Sequence, residues 1–373
     1  MWLLPATSQG FGRIRTLRGT GMARILYGVV GQGLGHATRA HTVASGLMSR
    51  GHDVHFVSSA QATQYLSAHF PGRVHDIFGL HIQFRQSGVA ALATIISNVR
   101  HALRELPGTS RTLRHLLQEL RPALVISDFE PFSAFWARRG GVPYISLDNE
   151  HLLTHCRVER LPNRWLSRVQ AYLPTRLMVL NARRYLITYF EPLPVMRQPA
   201  VVVPPLLRPE VYDLSPRAGN YLLVYLSAGL DADMLCRTLE SWRTAPIRAY
   251  VAGRSGEAGH VSYRPRSVQG FLDDLAGCRG VLTSAGYSLL CECLHLRKPM
   301  LIVPAAGQYE QELNAYYIQR WGYGLAVAAP TLAALTAFWE RCDQFAANMT
   351  HAPQADVGRV LDLIEREIRA TSR

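Results

Sequence analysis

The sequence has few cysteines and no long apolar run. Its 373 residues contain no stretch of about twenty apolar side chains, so no helix is predicted to span a membrane. The six cysteines are scattered, and the closest pair, Cys291 and Cys293, lies in a helical pattern that directs the two thiols to different faces. We therefore expect reduced thiols that serve as small apolar side chains, and neither a disulfide framework nor a cysteine metal site.

Lysine and acidic residues are also scarce. Of the 40 basic residues, 39 are arginine and only Lys298 is lysine, and the 27 acidic residues leave a net charge of +13. A positive field of this size suits nucleotide diphosphates, anionic membrane surfaces or nucleic acid. The chain has no zinc-finger spacing, no RNA-binding strand motif and no long basic run, so nucleic acid is not a predicted partner.

Two domains are predicted from the length and from a repeated alternation of short apolar runs with helix-periodic segments. Residues 22–204 and 218–352 each show this alternation, which is typical of a doubly wound parallel sheet. Residues 205–217 contain several prolines and form the predicted linker, and a final helical pattern occupies residues 353–373. Residues 1–21 have no periodic apolar pattern, and we expect them to form a disordered extension.

The predicted strands are short apolar runs. They cover residues 25–30, 54–58, 124–127, 144–147 and 185–189 in the first domain, and residues 221–226, 248–251, 281–283 and 300–303 in the second. Helical spacing of apolar side chains predicts helices over residues 37–50, 89–106 and 110–120. Ligands of parallel sheets bind beyond the carboxyl ends of the strands, so the segments that follow the strands are the candidate sites.

Two adjacent strand-to-helix turns in the second domain carry the most distinctive pattern. Their residues are Ser284, Ala285, Gly286, Tyr287 and Ser288 in the first turn, and Gln308, Glu310, Gln311 and Asn314 in the second. Small residues let backbone N–H groups approach phosphates, and a helix N-terminus favours anions. Glu292 lies within the first two turns of the helix between them and can accept hydrogen bonds from a ribose. The pattern predicts a nucleotide-diphosphate pocket.

This segment resembles the nucleotide-sugar half of GT-B glycosyltransferases, of the kind in UDP-glucuronosyltransferases and the peptidoglycan N-acetylglucosaminyltransferase. In that family a small-residue turn precedes a Glu at the place of Glu292, a Gly/Pro break, an acidic-Gln pair and Asn-Ala. Glu310, Gln311 and Asn314 match the last part. The resemblance implies two Rossmann-like domains facing across a cleft, with the C-terminal helix packed back on the first domain. It also implies a nucleotide sugar, UDP-linked, as donor.

The chain departs from the family pattern at the first turn. The usual doubled glycine is replaced by Ser284-Ala285-Gly286, and Tyr287 stands where a small residue or serine is common. We expect the Tyr287 ring to stack on the donor or to crowd it.

Other residues of the second domain complete the predicted donor site. Ser227 and Gly229 follow its first strand and are expected to donate backbone hydrogen bonds to phosphate. Arg254 is the candidate for neutralising the diphosphate leaving group. The resemblance implies that Phe271 and Leu272 hold the uracil by backbone and apolar contact. For each of these residues, a packing or surface role is the alternative. No DxD-like metal pair stands in the donor segment, so neither an essential metal nor a cofactor is predicted.

The first strand ends in a glycine-rich turn that leads to His36. A dinucleotide-binding fingerprint would need glycine at this position, and no ribose-binding acid follows the second strand, so a nicotinamide or flavin site is not predicted. Gly33 and Gly35 instead permit a tight loop that delivers His36 to the cleft at a helix start. That position favours the neutral imidazole of a general base. A capping or structural role for His36 is the alternative.

Asp128 directly follows a buried strand of the same domain. In plant UDP-glycosyltransferases, which the chain resembles here, a His after the first strand is held by an Asp after a later strand. The resemblance implies that Asp128 fixes the His36 tautomer and stabilises the imidazolium formed when a proton is accepted. The sequence alone equally allows a turn acid or a helix N-cap.

Further residues are expected on the acceptor side of the cleft. They are Arg39, Asn149, Glu150 and His151. Together with the glycine loop, these motifs most resemble an uncharacterised bacterial and archaeal branch near glycosyltransferase family 28. The loop also resembles the UDP-sugar hydrolase of pseudaminic acid synthesis, in which water replaces the sugar acceptor. We expect an inverting glycosyltransferase with an unidentified hydroxyl acceptor. The alternatives are a nucleotide-sugar hydrolase and a catalytically silent nucleotide-sugar-binding protein.

Residues 163–184 form a basic and aromatic stretch in which apolar side chains recur at helical spacing. Pro174 is expected to break or kink this helix. Such a segment is typical of a helix that lies on an anionic bilayer, and equally of a surface helix whose apolar side faces the core. Lipid-linked acceptors are common in the family that the chain resembles. We expect a cytoplasmic protein, located at the inner face of the plasma membrane if this helix binds lipid.

Overall fold

The structure is a computed structural model that describes residues 21–79, 88–226 and 232–371. Two groups of predicted residues lie outside these ranges. They are the extension before Gly21 and the two phosphate candidates Ser227 and Gly229.

Seven parallel strands form the first sheet, in the spatial order β3-β2-β1-β4-β5-β6-β7. These strands are β1 (Arg24–Val29), β2 (Asp53–Ser58), β3 (Val74–Asp76), β4 (Leu124–Asp128), β5 (Tyr144–Asp148), β6 (Tyr185–Thr188) and β7 (Ala200–Val203). The helices between them are α1 (Leu34–Ser49), α2 (Ala60–His69), α3 (Gly88–Leu120), α4 (Pro131–Arg139), α5 (Leu152–His155) and α6 (Trp165–Met178). Because β1 pairs with both β2 and β4, the strand order reverses there, which is where ligands bind in such sheets.

The second sheet also has seven strands, in the order β10-β11-β9-β8-β12-β13-β14. They are β8 (Leu222–Tyr225), β9 (Ile247–Tyr250), β10 (Gly256–Ala258), β11 (Val261–Tyr263), β12 (Gly280–Thr283), β13 (Met300–Ile302) and β14 (Gly324–Ala326). All neighbours are parallel except β10 and β11. The helices from the linker onward are α7 (Pro209–Tyr212), α8 (Ala232–Ser241), α9 (Val268–Gly277), α10 (Tyr287–His295), α11 (Tyr309–Arg320), α12 (Leu332–Glu340), α13 (Cys342–Asn348) and α14 (Val357–Thr371), with a 3₁₀ turn at Met349–His351.

The C-terminal helix α14 packs against α1 of the first domain. The Leu361 side chain lies so close to Gly46 that a Cβ there would collide with it. Arg50 adds a hydrogen bond from Nη1 to Asp362 Oδ1 at 2.7 Å. The chain therefore returns to the first domain after it has completed the second sheet.

The two doubly wound α/β sheets confirm the predicted fold class. Five strands escaped prediction, namely β3, β7, β10, β11 and β14, because each has only three or four residues and lies at or near a sheet edge. The structure has one helix, α3, where two were predicted, and it continues through Pro107. Helix α6 likewise continues through Pro174, where a break or kink was expected. A proline removes one backbone hydrogen bond, and packing against neighbouring elements offsets that loss.

Candidate functional site

His36 lies in the first turn of α1, directly after the glycine loop that follows β1. Gly33 caps the helix with a φ of +80°, a backbone conformation that favours glycine. A Cβ on Gly35 would collide with the Ser288 side chain of the second domain. The glycine loop therefore brings the first domain into direct contact with the start of α10.

Asp128 is the last residue of β4, and its side chain is completely buried beside His36. Its Oδ1 lies 2.7 Å from His36 Nδ1, and Arg39 Nε donates to Oδ2 at 2.8 Å. Because a carboxylate only accepts, the His36 proton is placed on Nδ1 and Nε2 becomes the basic nitrogen. The structure thus brings together the two residues that were predicted to form a catalytic pair.

The charge state of His36 is set by the two carboxylates that face it. Burial lowers the pKa of His36, but Glu150 and Asp128 raise it more, so that the net pKa lies above its ordinary value. Glu150 Oε1 lies 3.4 Å from His36 Nε2. The effect expected of the helix start, which favours the neutral ring, is outweighed by these carboxylates, so His36 binds a proton more strongly than an ordinary imidazole does.

Arg39 connects this pair to the second domain through two hydrogen bonds. The guanidinium is buried, and its Nη1 donates to Asn149 Oδ1 at 2.9 Å. Asn149 Nδ2 then donates to Glu310 Oε1 of α11, also at 2.9 Å. Burial, followed by the charge of Glu150, raises the pKa of Glu310 to about 7. Residues predicted on opposite sides of the cleft, Asn149 and Glu310, are therefore in direct contact.

His151 forms a separate buried pair with Asp148 at the end of β5. Its Nδ1 lies 2.7 Å from Asp148 Oδ2, and within the described ranges its Nε2 has no hydrogen-bond partner. Burial would raise the pKa of Asp148, but the neighbouring His151 and the Ser146 hydroxyl lower it to about 2. His151 is thus held against Asp148, whereas His36 is paired with Asp128.

The first donor turn is tied to the first domain through Asn314. Asn314 Nδ2 donates to the carbonyl of Ala285 at 3.1 Å, and Tyr189 Oη donates to Asn314 Oδ1 at 3.0 Å. Gly286 caps α10, and Ser284 and Ser288 flank it on either side. Asn314 therefore fixes the position of the turn, and the start of α10 faces the loop that carries His36.

Gln311 orders the second donor turn. Gln311 Oε1 accepts a hydrogen bond from the Ala305 N–H at 3.0 Å, and Gln311 Nε2 donates to Gln308 Oε1 at 2.8 Å. Gln308 itself is the N-cap residue of α11. The helix start that carries Glu310 is therefore held in place by local hydrogen bonds.

Tyr287 packs between the two domains. Its side chain is buried, its hydroxyl lies 2.9 Å from Thr188 Oγ1, and its ring stacks on Tyr189 with centroids 6.0 Å apart. This arrangement corrects the expectation that the ring faces the donor. A large aromatic side chain at this position is stabilised by burial against β6 and the residues that follow it.

Glu292 forms a bidentate ion pair that the sequence did not indicate. Arg208 Nε donates to Glu292 Oε1 at 2.6 Å, and Nη2 donates to Oε2 at 3.2 Å. Arg208 comes from the segment that joins the two sheets. Burial raises the pKa of the Glu292 carboxyl, and Arg208 opposes that effect. The predicted ribose ligand is therefore held by a cation from the linker.

Three predicted donor residues do not join this cluster in the structure. Arg254 is an exposed side chain that pairs with Asp233 at 2.5 Å. Phe271 and Leu272 lie in the first half of α9, and both side chains are buried. The Phe271 ring contacts the Tyr225 and Tyr250 rings. Aromatic rings therefore pack around this part of α9.

The part of the chain that the structure describes contains no group of three or more His, Cys, Asp and Glu side chains that could hold a metal ion. All six cysteines are free and buried. None of the described helices combines the length and apolar character needed to cross a bilayer.

The chain belongs to the glycosyl transferase family 1, whose sequence model matches residues 23–342. An uncharacterised glycosyltransferase of Methanosarcina acetivorans is 23% identical over 327 residues, which cover 81% of this chain and 82% of that protein. One from Methanosarcina mazei is 22% identical over 327 residues, which cover 81% and 85%. The family and these relatives show that the protein is a glycosyltransferase.

Several solved structures share the fold of this chain. The kitacinnamycin glycotransferase has a TM-score of 0.65 at 17% identity, covering 93% of this chain and 99% of that chain. MurG of Acinetobacter baumannii has a TM-score of 0.61 at 16% identity, covering 93% and 100%. Phytolacca americana UGT2, complexed with UDP-2fluoro-glucose and pterostilbene, has a TM-score of 0.60 at 17% identity, covering 95% and 94%. These likenesses confirm the GT-B fold. Taken with the family match and the relatives, they bear out the predicted superfamily near family 28.

Proposed function

We propose that the protein is an inverting glycosyltransferase that moves a sugar from a UDP-sugar to a hydroxyl acceptor, with His36 as general base. The observation that carries this proposal is the Asp128–His36 pair, at 2.7 Å, in which the carboxylate is fully buried and the ring lies beside the start of the donor helix α10. The base in the first domain would receive the acceptor. The anion-binding helix start in the second domain would receive the donor from the opposite side of the same cleft.

The proposed reaction is a single displacement. Asp128 accepts the Nδ1–H of His36, which leaves Nε2 to remove the proton of the acceptor hydroxyl. As that oxygen bonds to the anomeric carbon, the bond to the nucleotide diphosphate breaks on the opposite face, which inverts the configuration. The imidazolium that forms lies between the carboxylates of Asp128 and Glu150, which stabilise its charge. Glu150 occupies the space beside Nε2, so the acceptor hydroxyl would take its place or share it.

The donor is assigned to the second domain. Glu292 would accept hydrogen bonds from the ribose, and the Ser284–Gly286 turn with the start of α10 would bind the diphosphate. Glu310 and Gln311 would contact the sugar. The UDP-2fluoro-glucose bound to the Phytolacca enzyme and the thymidine diphosphate bound to Streptomyces SsfS6 support a nucleoside diphosphate donor. The proposal requires neither a cofactor nor an essential metal.

Product analysis tests this proposal. The protein is incubated with UDP-glucose and other nucleotide sugars, together with a panel of hydroxyl acceptors, and the products are examined by NMR. We expect a new glycoside with an anomeric configuration opposite to that of the donor. A retained configuration would contradict the single displacement. Free sugar without any glycoside would assign the site to a hydrolase, and binding without turnover across the panel would indicate a silent binding protein.

A further inference from the structure

Helix α6 exposes a row of large apolar side chains that the described part of the fold leaves uncovered. Four of them recur at intervals of four residues and therefore lie along one face of the helix. The row, here named the apolar stripe, consists of Trp165, Leu166, Val169, Leu173, Leu177 and the adjacent Leu180. Trp165 is 72% exposed and Leu177 is 65% exposed. Apolar patches of this kind mark interaction surfaces.

The structure decides between the two orientations that the sequence allowed for this segment. The buried residues of α6 are Thr175 and Met178, so the helix rests on the fold through the side opposite to the apolar stripe. The tryptophan and leucines therefore face outward and do not enter the core.

Arginines border the apolar stripe, and residues 164–180 contain no Asp or Glu. Arg164, Arg168 and Arg176 each precede a stripe residue by one position, which places them roughly 100° around the helix. Arg164 pairs with Glu312 at 3.0 Å, whereas no described carboxylate lies within ion-pair distance of the other two. The surface therefore combines exposed apolar groups with unneutralised positive charge.

The apolar stripe is next to the acceptor side of the proposed site. Helix α6 packs beside α5, which begins shortly after Asn149 and Glu150, and beside α11, whose first turn carries Glu310. Tyr309 of α11 donates to the Glu159 carbonyl at 3.1 Å, which joins the segment before α6 to the same helix start.

We propose that the apolar stripe docks this enzyme on an anionic lipid bilayer, which places the acceptor side of the site next to the lipid surface. This inference rests on the proposed function in one respect, which is the identification of that side of the site as the acceptor side. Apolar side chains would enter the headgroup boundary while the arginines bind lipid phosphates. A second copy fits less well, because pairing two α6 faces would oppose arginine to arginine in a protein of net charge +13.

Flotation with vesicles tests the docking. The full chain is mixed with vesicles of phosphatidylcholine alone, or of phosphatidylcholine with phosphatidylglycerol. We expect flotation with the anionic vesicles only, and less of it at high salt. Leu173→Glu should abolish flotation, whereas the matched control Leu332→Glu, at an exposed leucine of α12, should leave it intact. Arg168→Gln and Arg176→Gln should each weaken partitioning on the order of fivefold.

Three outcomes would overturn the docking proposal. The first is a wild-type protein that floats with neither vesicle, and the second is a Leu173→Glu variant that floats as the wild type does. The third is a dimer in sedimentation analysis that Leu173→Glu dissociates, without vesicle binding, which would assign the apolar stripe to a second copy. Flotation needs no donor or acceptor. A failure of the docking and a failure of glycosyl transfer are therefore observed separately.

Discussion

Arg208 and Glu292 form a bidentate ion pair, at 2.6 and 3.2 Å, that joins the segment between the two sheets to the donor helix α10. The carboxylate is buried and its cation is largely buried, so each charge depends on the other. A carboxylate offers about four lone pairs. In the proposed function, ribose hydroxyls would use the two lone pairs that Arg208 leaves free, which requires the donor to displace the groups that bury this carboxylate.

The first prediction concerns the stability of this pair. Arg208→Met should lower the free energy of unfolding by about 3 kcal/mol, because it leaves a buried carboxylate without its cation. Arg208→Met combined with Glu292→Gln should recover most of that loss, because the uncompensated charge is gone. Urea unfolding of the two single variants and the double variant measures the coupling. Additive losses would show that the two side chains do not stabilise each other.

The second prediction concerns the donor. Glu292→Gln keeps the side-chain shape but removes the charge, so UDP should bind more weakly by about 1.5–3 kcal/mol. Isothermal titration calorimetry measures the affinity, and Glu340→Gln at the end of α12 serves as a carboxylate control in the same domain. Equal UDP affinity of Glu292→Gln and wild type would remove Glu292 from the nucleotide site.

The third prediction concerns pH. The pKa of Glu310 is raised from 4.5 to about 7, so the folded protein holds a proton that the unfolded chain has released between these pH values. Stability from this group is therefore greatest at low pH and falls as the pH rises from about 4.5 to about 7. Glu310→Gln should reduce this decline in Tm. Part of the decline should remain, because burial also raises the pKa of Glu150. A Tm that declines equally in variant and wild type would contradict the assignment.

The fourth prediction concerns metal. Turnover should survive EDTA, because the proposed function assigns the leaving-group charge to the Ser284–Gly286 turn and the start of α10. The measurement compares initial rates before and after chelation and after addition of Mg²⁺ or Mn²⁺. Complete loss in EDTA that either ion reverses would show that a metal carries this charge.

Much of the fold could be predicted because the central parallel strands are short, mostly apolar segments, such as Leu-Val-Ile in β4 and Tyr-Ile-Ser-Leu in β5. The turn after each strand then locates candidate residues such as His36 and Asp128, and the family resemblance implied that these two form a pair. Short edge strands carry no such pattern. A break at Pro174 and the predicted gap around Pro107 were wrong, because both residues lie inside continuous helices.

The contacts across the cleft could not be predicted in the same way. Arg208 and Glu292 are 84 positions apart, and nothing in the local sequence of either residue indicates the other. Tyr287 occupies a donor-motif position, yet its ring packs on Tyr189 because the two domains approach each other there. Such pairs depend on how the sheets face each other, which periodicity and motif spacing do not encode.

The central claim is that His36 is the general base, and the most direct measurement is the turnover of His36→Ala beside its UDP affinity. His41→Ala, on the same helix but hydrogen-bonded to Tyr65, is the matched control. The account predicts that His36→Ala lowers turnover by about 10²–10⁴-fold with UDP affinity unchanged, while His41→Ala keeps wild-type turnover. Wild-type turnover of His36→Ala would contradict the account and would move the role of base to another residue, with Glu150 the next candidate.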